Sequence, residues 1–188
     1  MKYFLIGVAF FVVVILMAGG CAISMNNTLV KNEEAIDGQW AEVENMLKRR
    51  ADLIPNLVET VKGFAKQEKE IFVAVAEARS KLIGAKGVQE KGAATGTLNS
   101  ALSRLLMVSE RYPDLKSNQN FMRLQDELTG TENRIAVART RYNESVKKFN
   151  TQIKTFPDSF MASFKGMSKK DYFEITNPED KETPKVKF

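Results

Sequence analysis

The stretch that decides the fold runs from Arg49 to Ala65 and reads RRADLIPNLVETVKGFA. It lies within a segment whose apolar residues otherwise recur every three or four positions, as on the buried face of an amphipathic helix. A set of charged, amide and proline residues interrupts this pattern: Arg49, Arg50, Asp52, Pro55 and Asn56. Such a group inside a helical stripe indicates either an active-site loop or a structural corner between two helices.

Pro55 predicts a corner at this point of the chain. Proline lacks a backbone N–H and disfavours helical geometry at the residue before it, yet it fits well in the first turn of a helix. Asp52 would then be the N-cap of a new helix, and Arg49 and Arg50 would end the preceding one at the negative pole of its dipole. The alternative is a continuous, kinked helix, because the apolar rhythm keeps its phase through Leu47, Ala51, Ile54 and Val58.

The chain on both sides of this stretch has the same helical pattern. Apolar residues recur at helical spacing from Leu29 to Leu47, from Leu57 to Leu82 and, in the longest run, from Phe121 to Phe156. A shorter run near Leu98 follows a glycine-rich interval, GAKGVQEKGAATG, which we expect to be a flexible loop between helices. No stretch alternates with a period of two for long enough to form a strand. The sequence therefore predicts an all-α protein.

The N-terminus begins with an apolar segment, MKYFLIGVAFFVVVILMAGGCAISMNN, that carries a single charged residue before Lys31. About 20 apolar residues suffice to cross a bilayer, and the residues from Tyr3 to Ile23 reach that length. We expect residues 1–23 to be an uncleaved single-pass anchor or, as the alternative, a signal sequence after which Cys21 is lipidated. The second interpretation is weaker because Ala18 occupies the position where a lipoprotein cleavage site usually has Leu.

The amino-acid composition limits the chemistry available to this chain. With 188 residues, 44% of them hydrophobic, it can form one compact domain with a core. The absence of histidine excludes Ser-His and Cys-His nucleophile pairs, His-based metal sites and the commonest general base near neutral pH. The single cysteine excludes an intrachain disulfide. The 28 Lys and Arg residues, against 23 Asp and Glu, are spread along the chain, which argues against a nucleic-acid-binding patch.

Three motifs carry a resemblance to a known family. They are RRADLIPNLVETVKGFAKQE, LQDELTGTENRIAVARTRYNESVKKFN, and FP followed later by a short YFE stretch. With them, the chain after the apolar segment resembles the LemA family of bacterial membrane-associated proteins, although Phe64 stands where that family often has Tyr. The resemblance implies an N-terminal membrane segment followed by an antiparallel, up-and-down bundle of about four helices. It implies no established enzymatic activity.

Polar residues on or beside the apolar stripes are the candidate site residues: Glu68, Arg79, Glu132 and Arg139. Carboxylates on facing helices can hold two metal ions, but that arrangement also uses Glu-x-x-His pairs, and the chain has no histidine. We therefore expect structural ion pairs or hydrogen-bonded groups that fix the register of the helices, with no metal or other cofactor. Three asparagines are expected to act in the same way: Asn133, Asn143 and Asn150.

Three further patterns have structural interpretations. The G-x-x-x-x-G spacing from Gly87 to Gly92 lacks the Lys and Ser/Thr of a phosphate-binding loop, so it is assigned to the flexible loop. Trp40 and Tyr142 lie in helical stripes and are expected in the core rather than around a ligand. The segment FPDSFMASFKGM should form a short helix that closes the end of the bundle, with docking on a membrane or a partner as the alternative.

The predicted domain organisation has three parts. Residues 1–23 form the membrane anchor, residues 24–156 the helical bundle, and residues 157–188 a short helix with a flexible tail. A signal-like segment usually sends the following chain across the membrane, so we expect the bundle to be extracytoplasmic. Because a catalytic set is missing, we interpret the chain as a non-enzymatic, membrane-tethered interaction or scaffold module that binds an envelope protein. The alternatives are a carboxylate-based metal-binding or enzymatic bundle and a lipid-binding bundle.

Overall fold

Helices make up the regular structure of the described chain. The computed structural model describes residues 1–176, with the side chains at positions 2, 5, 8, 9 and 18 outside the description. The elements are α1 (Lys2–Phe64), α2 (Lys69–Gly84), α3 (Gly87–Val108), α4 (Pro113–Lys116), α5 (Gln119–Gln152) and α6 (Asp158–Phe164), with a 3₁₀ turn at Ser109–Arg111. No strand occurs within residues 1–176, so the predicted all-α class is confirmed. The flexible tail predicted for the end of the chain lies, from residue 177 on, outside the described residues.

The corner expected at Pro55 is not formed, and that prediction is wrong. α1 is a single helix from Lys2 to Phe64, and Pro55 lies inside it. Asp52 is therefore an exposed mid-helix residue and not an N-cap, and Arg49 and Arg50 do not end a helix. The apolar stripe explains this outcome, because a break would uncover side chains that are at most 2% accessible: Leu47, Ala51, Ile54, Leu57 and Val61.

The first part of α1 is the apolar segment predicted to cross a membrane. Among the described helices, α1 alone is long and apolar enough for that role by length and composition, with a mean hydropathy of 1.8 over an 18-residue window. None of that window is buried within the protein. Its exposed residues, each between 65% and 71% accessible, include Phe10, Phe11, Leu16 and Met17. An apolar helical surface of this length that the rest of the described chain leaves uncovered is typical of a membrane-associated protein.

Most of the glycine-rich interval is helical, so the prediction of a flexible loop is wrong there. α2 ends at Gly84 and α3 already begins at Gly87, whose φ of +73° favours glycine at that position. Within α3, Gly92 and Gly96 are buried together with Thr95. These small residues therefore lie on a packed face of the helix, where they let other parts of the chain approach its backbone closely.

The described residues divide into two compact units. The bundle unit consists of Trp40–Asn143 with residues 171–176, and the anchor unit consists of Met1–Gln39 with Glu144–Lys170. α1 and α5 contribute to both units, because the boundary after Gln39 lies inside α1 and the boundary after Asn143 lies inside α5. Fully buried side chains form the core of the bundle unit, among them Val43, Leu57, Val75, Leu98, Leu105 and Ile135.

The bundle unit is an up-and-down arrangement of α1, α2, α3 and α5. Trp40 of α1 lies next to Tyr142 of α5. Arg50, further along α1, pairs with Glu132, which comes earlier in α5, so the two helices are antiparallel. Ala51 and Lys62 of α1 contact Arg79 and Phe72 of α2, respectively, so α2 runs antiparallel to α1. Glu44 of α1 pairs with Lys91 of α3, and Glu68, just after α1, pairs with Arg111, just after α3, so α3 runs parallel to α1. The topology implied by the family resemblance is confirmed.

The anchor unit contains the apolar start of α1, the end of α5, and α6. Asn32 of α1 donates a hydrogen bond to the side chain of Gln152, the last residue of α5. Gln152 in turn donates to the carboxylate of Asp158, the first residue of α6, at 3.2 Å. Among the side chains that the structure describes in the anchor unit, the buried apolar ones are Leu29, Ile36, Val146, Phe149 and Ala162.

The helix predicted to close the end of the bundle is formed as α6, within the anchor unit. Its aromatic residues face away from the core, since Phe160 is 74% and Phe164 is 83% accessible. Ala162 is the buried residue of this helix. The short apolar helix was correctly expected, but its largest side chains are left uncovered by the described chain.

Candidate functional site

The candidate site begins at Pro55, where α1 lacks one of its backbone hydrogen bonds. Proline has no N–H, so the carbonyl four residues earlier, that of Ala51, loses its usual donor within the helix. Arg79 of α2 replaces that donor, because its Nε donates to the Ala51 carbonyl oxygen at 2.8 Å. Ala51 is 1% accessible, and leaving a carbonyl unpaired at such a position would cost about 1–3 kcal/mol. Arg79 therefore stabilises α1 across Pro55.

Arg50, next to Ala51 in the chain, forms an ion pair with Glu132 of α5. The side chain of Arg50 is 8% accessible and that of Glu132 is 40%, so the pair extends from the interior to the surface. Burial lowers the pKa of Arg50 to about 10, because the charged guanidinium loses hydration. The group stays protonated at neutral pH, and Glu132 supplies the negative charge that stabilises it there.

Glu68, in the turn after α1, binds residues that follow α3. Arg111 Nη2 lies 3.2 Å from Glu68 Oε1, and the Tyr112 hydroxyl donates to the same carboxylate oxygen at 3.4 Å. The hydroxyl of Tyr112 also accepts a hydrogen bond from the side chain of Gln67. These contacts connect the ends of two helices, so Glu68 and Glu132 each have an arginine partner in the bundle unit.

The other predicted residues lie apart from these contacts. Arg49, Asp52 and Asn56 are exposed on α1, as is the ring of Pro55. Arg139 is half-buried and forms no hydrogen bond or ion pair with another described residue. The candidate lipidation residue, Cys21, is an exposed free thiol within α1, with its Sγ 3.8 Å from the Met25 sulfur.

Trp40 and Tyr142 pack together in the bundle unit around a residue that the sequence pattern did not single out. Their ring centroids are 5.2 Å apart, and the ring of Phe173 lies 5.5 Å from Trp40 in an edge-to-face arrangement. Phe173 is fully buried. Its neighbours in sequence show no helical or strand periodicity, so the only available signal was its place in the YFE motif.

Residues 171–176, here called the C-terminal strap, are held against α5 and α3 of the bundle unit. The Tyr142 hydroxyl donates to the Asp171 carbonyl at 2.9 Å. Asn143 bonds both backbone groups of Phe173: its side-chain oxygen accepts from the N–H at 2.9 Å and its amide donates to the carbonyl at 3.1 Å. A Cβ on Gly92 would lie 2.1 Å from the Glu174 carbonyl oxygen, so glycine is required where the strap passes α3.

The anchor unit uses the same asparagine pairing. The Asn150 side chain accepts from the Lys170 N–H and donates to the Lys170 carbonyl, both at 2.9 Å. The Lys170 ammonium lies 2.7 Å from a Glu33 carboxylate oxygen. Asn143 and Asn150 thus bind the chain that follows α6 and do not fix the register between helices, while Asn133 is exposed. The expected role of these asparagines was wrong.

A groove of about 490 Å³ lies beside Ala51 in the bundle unit, between α1, α2 and α3. Apolar residues and charged residues of both signs line it, including Leu47, Leu82, Ile83, Lys48, Asp52 and Lys91. Lys91 is 3.6 Å from Glu44, which also lines the groove. Within residues 1–176, no three Cys, Asp or Glu side chains are grouped closely enough to hold a metal ion.

A protein-family model described as the LemA family matches residues 39–188. Two magnetosome proteins of Paramagnetospirillum magneticum, MamQ 1 and MamQ 2, are each 27% identical over 174 aligned residues, which cover 79% of this chain and 64% of each relative. Protein LemA of Metamycoplasma hominis is 24% identical over 159 residues, covering 82% of this chain and 70% of that protein. The chain therefore spans somewhat less than two thirds of the length of the MamQ relatives.

Proposed function

Because the chain belongs to the LemA family, we propose that it is a non-enzymatic, membrane-tethered module of the bacterial envelope that binds another envelope protein. In this proposal residues 1–23 are a single-pass anchor, and the bundle unit provides the binding surface on the extracytoplasmic side. Tethering raises the effective concentration of a weak interaction, so a modest helical surface is sufficient for binding.

The observation that carries the proposal is the uncovered apolar surface at the start of α1. The apolar 18-residue stretch there is not buried by the protein, and the same helix, α1, continues into the bundle unit. The described chain provides no other partner for that surface, and a bilayer would remove it from water. The part of α1 beyond it supplies the helical surface, and the groove beside Ala51 is the first recess to probe for the partner.

The non-enzymatic part of the proposal is supported by what the charged residues already bind. Arg50 and Glu132 bind each other, Glu68 binds Arg111, and Arg79 binds a backbone carbonyl. Each of these contacts has a structural purpose that needs no substrate. A catalytic acid or base requires a titratable group within reach of a substrate proton, and histidine is absent from the sequence.

A complementation experiment tests the tether. We would delete the gene and reintroduce three forms: the full chain, the chain with residues 1–23 replaced by an unrelated single-pass anchor of the same topology, and the chain released by a cleavable signal sequence. The first two should restore the deletion phenotype, and the released form should fail at equal abundance in the same compartment. Full rescue by the released form would contradict the tether.

Two further measurements separate the alternatives. Intact mass of the membrane-extracted protein should show residues 1–20 retained, whereas a diacylated or triacylated chain starting at Cys21 would establish the lipoprotein alternative. Calorimetry with divalent metal ions should detect no binding, and a stoichiometric site lost in Glu68→Ala or Glu132→Ala would restore the metal-binding or enzymatic alternative. Proximity labelling in the native membrane would then identify the neighbouring protein.

A further inference from the structure

Three exposed phenylalanines lie in α6 and just before it, in the anchor unit. Phe156, Phe160 and Phe164 are 85%, 74% and 83% accessible, and they follow one another at intervals of four residues. Aromatic side chains this large normally contribute to a core or an interface, and exposure of several together marks an interaction site. The packing of the described chain does not use them, although the α6 backbone is held in place by buried Ala162 and by Asp158.

Three lysines lie close to these phenylalanines in sequence. Lys154, Lys165 and Lys169 are exposed and form no ion pair with another described residue. Lys169 lowers the pKa of Lys154, because the neutral amine of Lys154 can accept a hydrogen bond from Lys169 and because the two positive charges repel each other. The one carboxylate of this segment, Asp158, accepts a hydrogen bond from the neutral Gln152 amide and keeps its negative charge, so three lysines stand against one carboxylate. The surface is therefore apolar with a positive border, which complements an anionic partner.

The hydrogen bonds of α6 connect it to α1 within the anchor unit. Asn32 binds Gln152, which in turn binds the first residue of α6. Asn32 is nine residues beyond Ile23, the end of the expected membrane span, and nine helical residues rise about 14 Å. The headgroup layer occupies the first several ångströms outside the hydrocarbon core, so Asn32 lies just beyond it and α6 begins beside the membrane surface. α6 is thus connected to the part of α1 that emerges from the bilayer.

We propose that Phe156, Phe160, Phe164, Lys154, Lys165 and Lys169, here called the Phe–Lys surface, bind the anionic lipid interface of the membrane in which α1 is anchored. The phenylalanines enter the boundary between headgroups and acyl chains, and the lysine ammonium groups bind lipid phosphates while their stems remain in the apolar layer. This inference rests on the proposed anchor. It adds a second, peripheral membrane contact, which makes α6 part of the membrane-binding machinery rather than of the bundle.

A membrane is favoured over a protein partner by the charge and by the anchoring. The three lysines of the surface outnumber the one carboxylate of the segment, Asp158, as is common for segments that bind anionic lipids, whereas the groove beside Ala51 carries a balanced mixture of both signs. The anchor also keeps α6 permanently near the bilayer, so weak individual contacts are sufficient.

Depth measurements on the full-length chain test the inference. In a Cys21→Ser background, nitroxide labels would be placed at Phe160→Cys, at Val12→Cys inside the expected span, and at Glu144→Cys, an exposed α5 position of the anchor unit. The protein would be reconstituted in phosphatidylglycerol vesicles, and label accessibility to oxygen and to a nickel chelate would be measured. The oxygen-to-nickel ratio at position 160 should exceed that at position 144 several-fold and stay below that at position 12.

The charge contribution is tested in the same samples. The combined variant Lys154→Glu, Lys165→Glu and Lys169→Glu should lower the ratio at position 160 towards that at position 144 and leave position 12 unchanged. Phosphatidylcholine vesicles should give a lower ratio at position 160 than phosphatidylglycerol vesicles.

Equal ratios at positions 160 and 144, with position 12 deep in the bilayer, would overturn the inference but would leave the proposed anchor supported. A label at position 160 that is shielded in native membranes but accessible in vesicles would also overturn the inference, and would show that a protein partner covers the phenylalanines. A water-exposed position 12 would instead contradict the proposed anchor itself.

Discussion

The guanidinium of Arg79 donates a hydrogen bond of 2.8 Å to the backbone carbonyl of Ala51, the carbonyl that Pro55 leaves without a donor in its own helix. A side chain of α2 thus completes the backbone hydrogen bonding of α1. The proline and the arginine, which looked like separate irregularities in the sequence, are two halves of one structural feature. This relationship can be tested by mutation.

Pro55→Ala restores a backbone N–H that can bond to the Ala51 carbonyl, so the effects of changes at positions 55 and 79 should be coupled. In the wild type, Arg79→Ala should lower the free energy of unfolding by about 1–3 kcal/mol, because a buried carbonyl is left unpaired. In the Pro55→Ala background the same change should cost about 1 kcal/mol less. Urea denaturation of the four proteins in detergent measures the coupling. Lys81→Ala, an exposed change on α2, is the control and should have little effect.

Pro55→Ala alone should raise the free energy of unfolding by up to about 3 kcal/mol, since alanine is the better helix former and its N–H is available. Strictly additive effects at positions 55 and 79 would show that Arg79 does not compensate for the proline.

Removal of Glu132 should be costly because it leaves the charge of Arg50 without its partner. We expect Glu132→Ala to lower the free energy of unfolding by about 2 kcal/mol. Adding Arg50→Met should recover most of that loss, since an apolar side chain of similar length has no charge to compensate. The neighbouring variant Arg49→Ala, at an exposed position, should change the stability by less than about 0.5 kcal/mol. A double variant no more stable than Glu132→Ala would argue against the charge explanation.

Asn143 should determine whether the C-terminal strap stays bound. Asn143→Ala removes two hydrogen bonds to Phe173 and should cost about 2 kcal/mol. Asn143→Asp keeps the acceptor for the Phe173 N–H but loses the donor, so its effect should be intermediate. Hydrogen exchange at the Phe173 amide should accelerate in the same order. Asn133→Ala, on an exposed face of α5, should leave that exchange rate unchanged.

Gly92→Ala and Gly130→Ala should have opposite effects, although both replace a glycine inside a helix. The new Cβ at position 92 meets the Glu174 carbonyl oxygen at 2.1 Å, so the strap must move, at a cost of about 1–3 kcal/mol. At position 130 nothing lies within 4 Å, and the better helix propensity of alanine should stabilise the protein by up to about 1 kcal/mol. The thermal unfolding midpoints of the two variants and the wild type test this prediction. A midpoint above that of the wild type for Gly92→Ala would show that the strap does not need to pass close to the α3 backbone.

The parts of the fold that depend on local periodicity were predictable from the sequence. The stripes around Val43, Leu57 and Ile135 indicated buried helical faces, and these residues are fully buried. The apolar run at the start of α1 was recognisable from its composition, as was the all-α class. Those signals are strong because a helix repeats its environment every three or four residues.

The wrong predictions at Pro55 and Gly92 arose because a residue distant in sequence determines the local structure there. Pro55 indicates a helix end unless an outside donor serves the carbonyl of Ala51, and nothing near Pro55 in sequence shows that Arg79 does so. Gly92 indicates flexibility unless another backbone passes within contact of it, as Glu174 does. In both cases the decisive contact joins residues far apart in sequence, and a single sequence contains no measure of such proximity.

The dependence of α1 on Arg79 also has a consequence for the order of events during synthesis. The ribosome releases α1 before α2, so the Ala51 carbonyl at first has only water as a hydrogen-bond partner. Pro55 already interrupts the backbone hydrogen bonds of α1 at that stage. Isolated helical segments are weak in water, and a proline weakens them further. The nascent helix should therefore fray on both sides of Pro55 until α2 docks. A ribosome stalled before Arg79 would hold a chain whose longest helix is still incomplete.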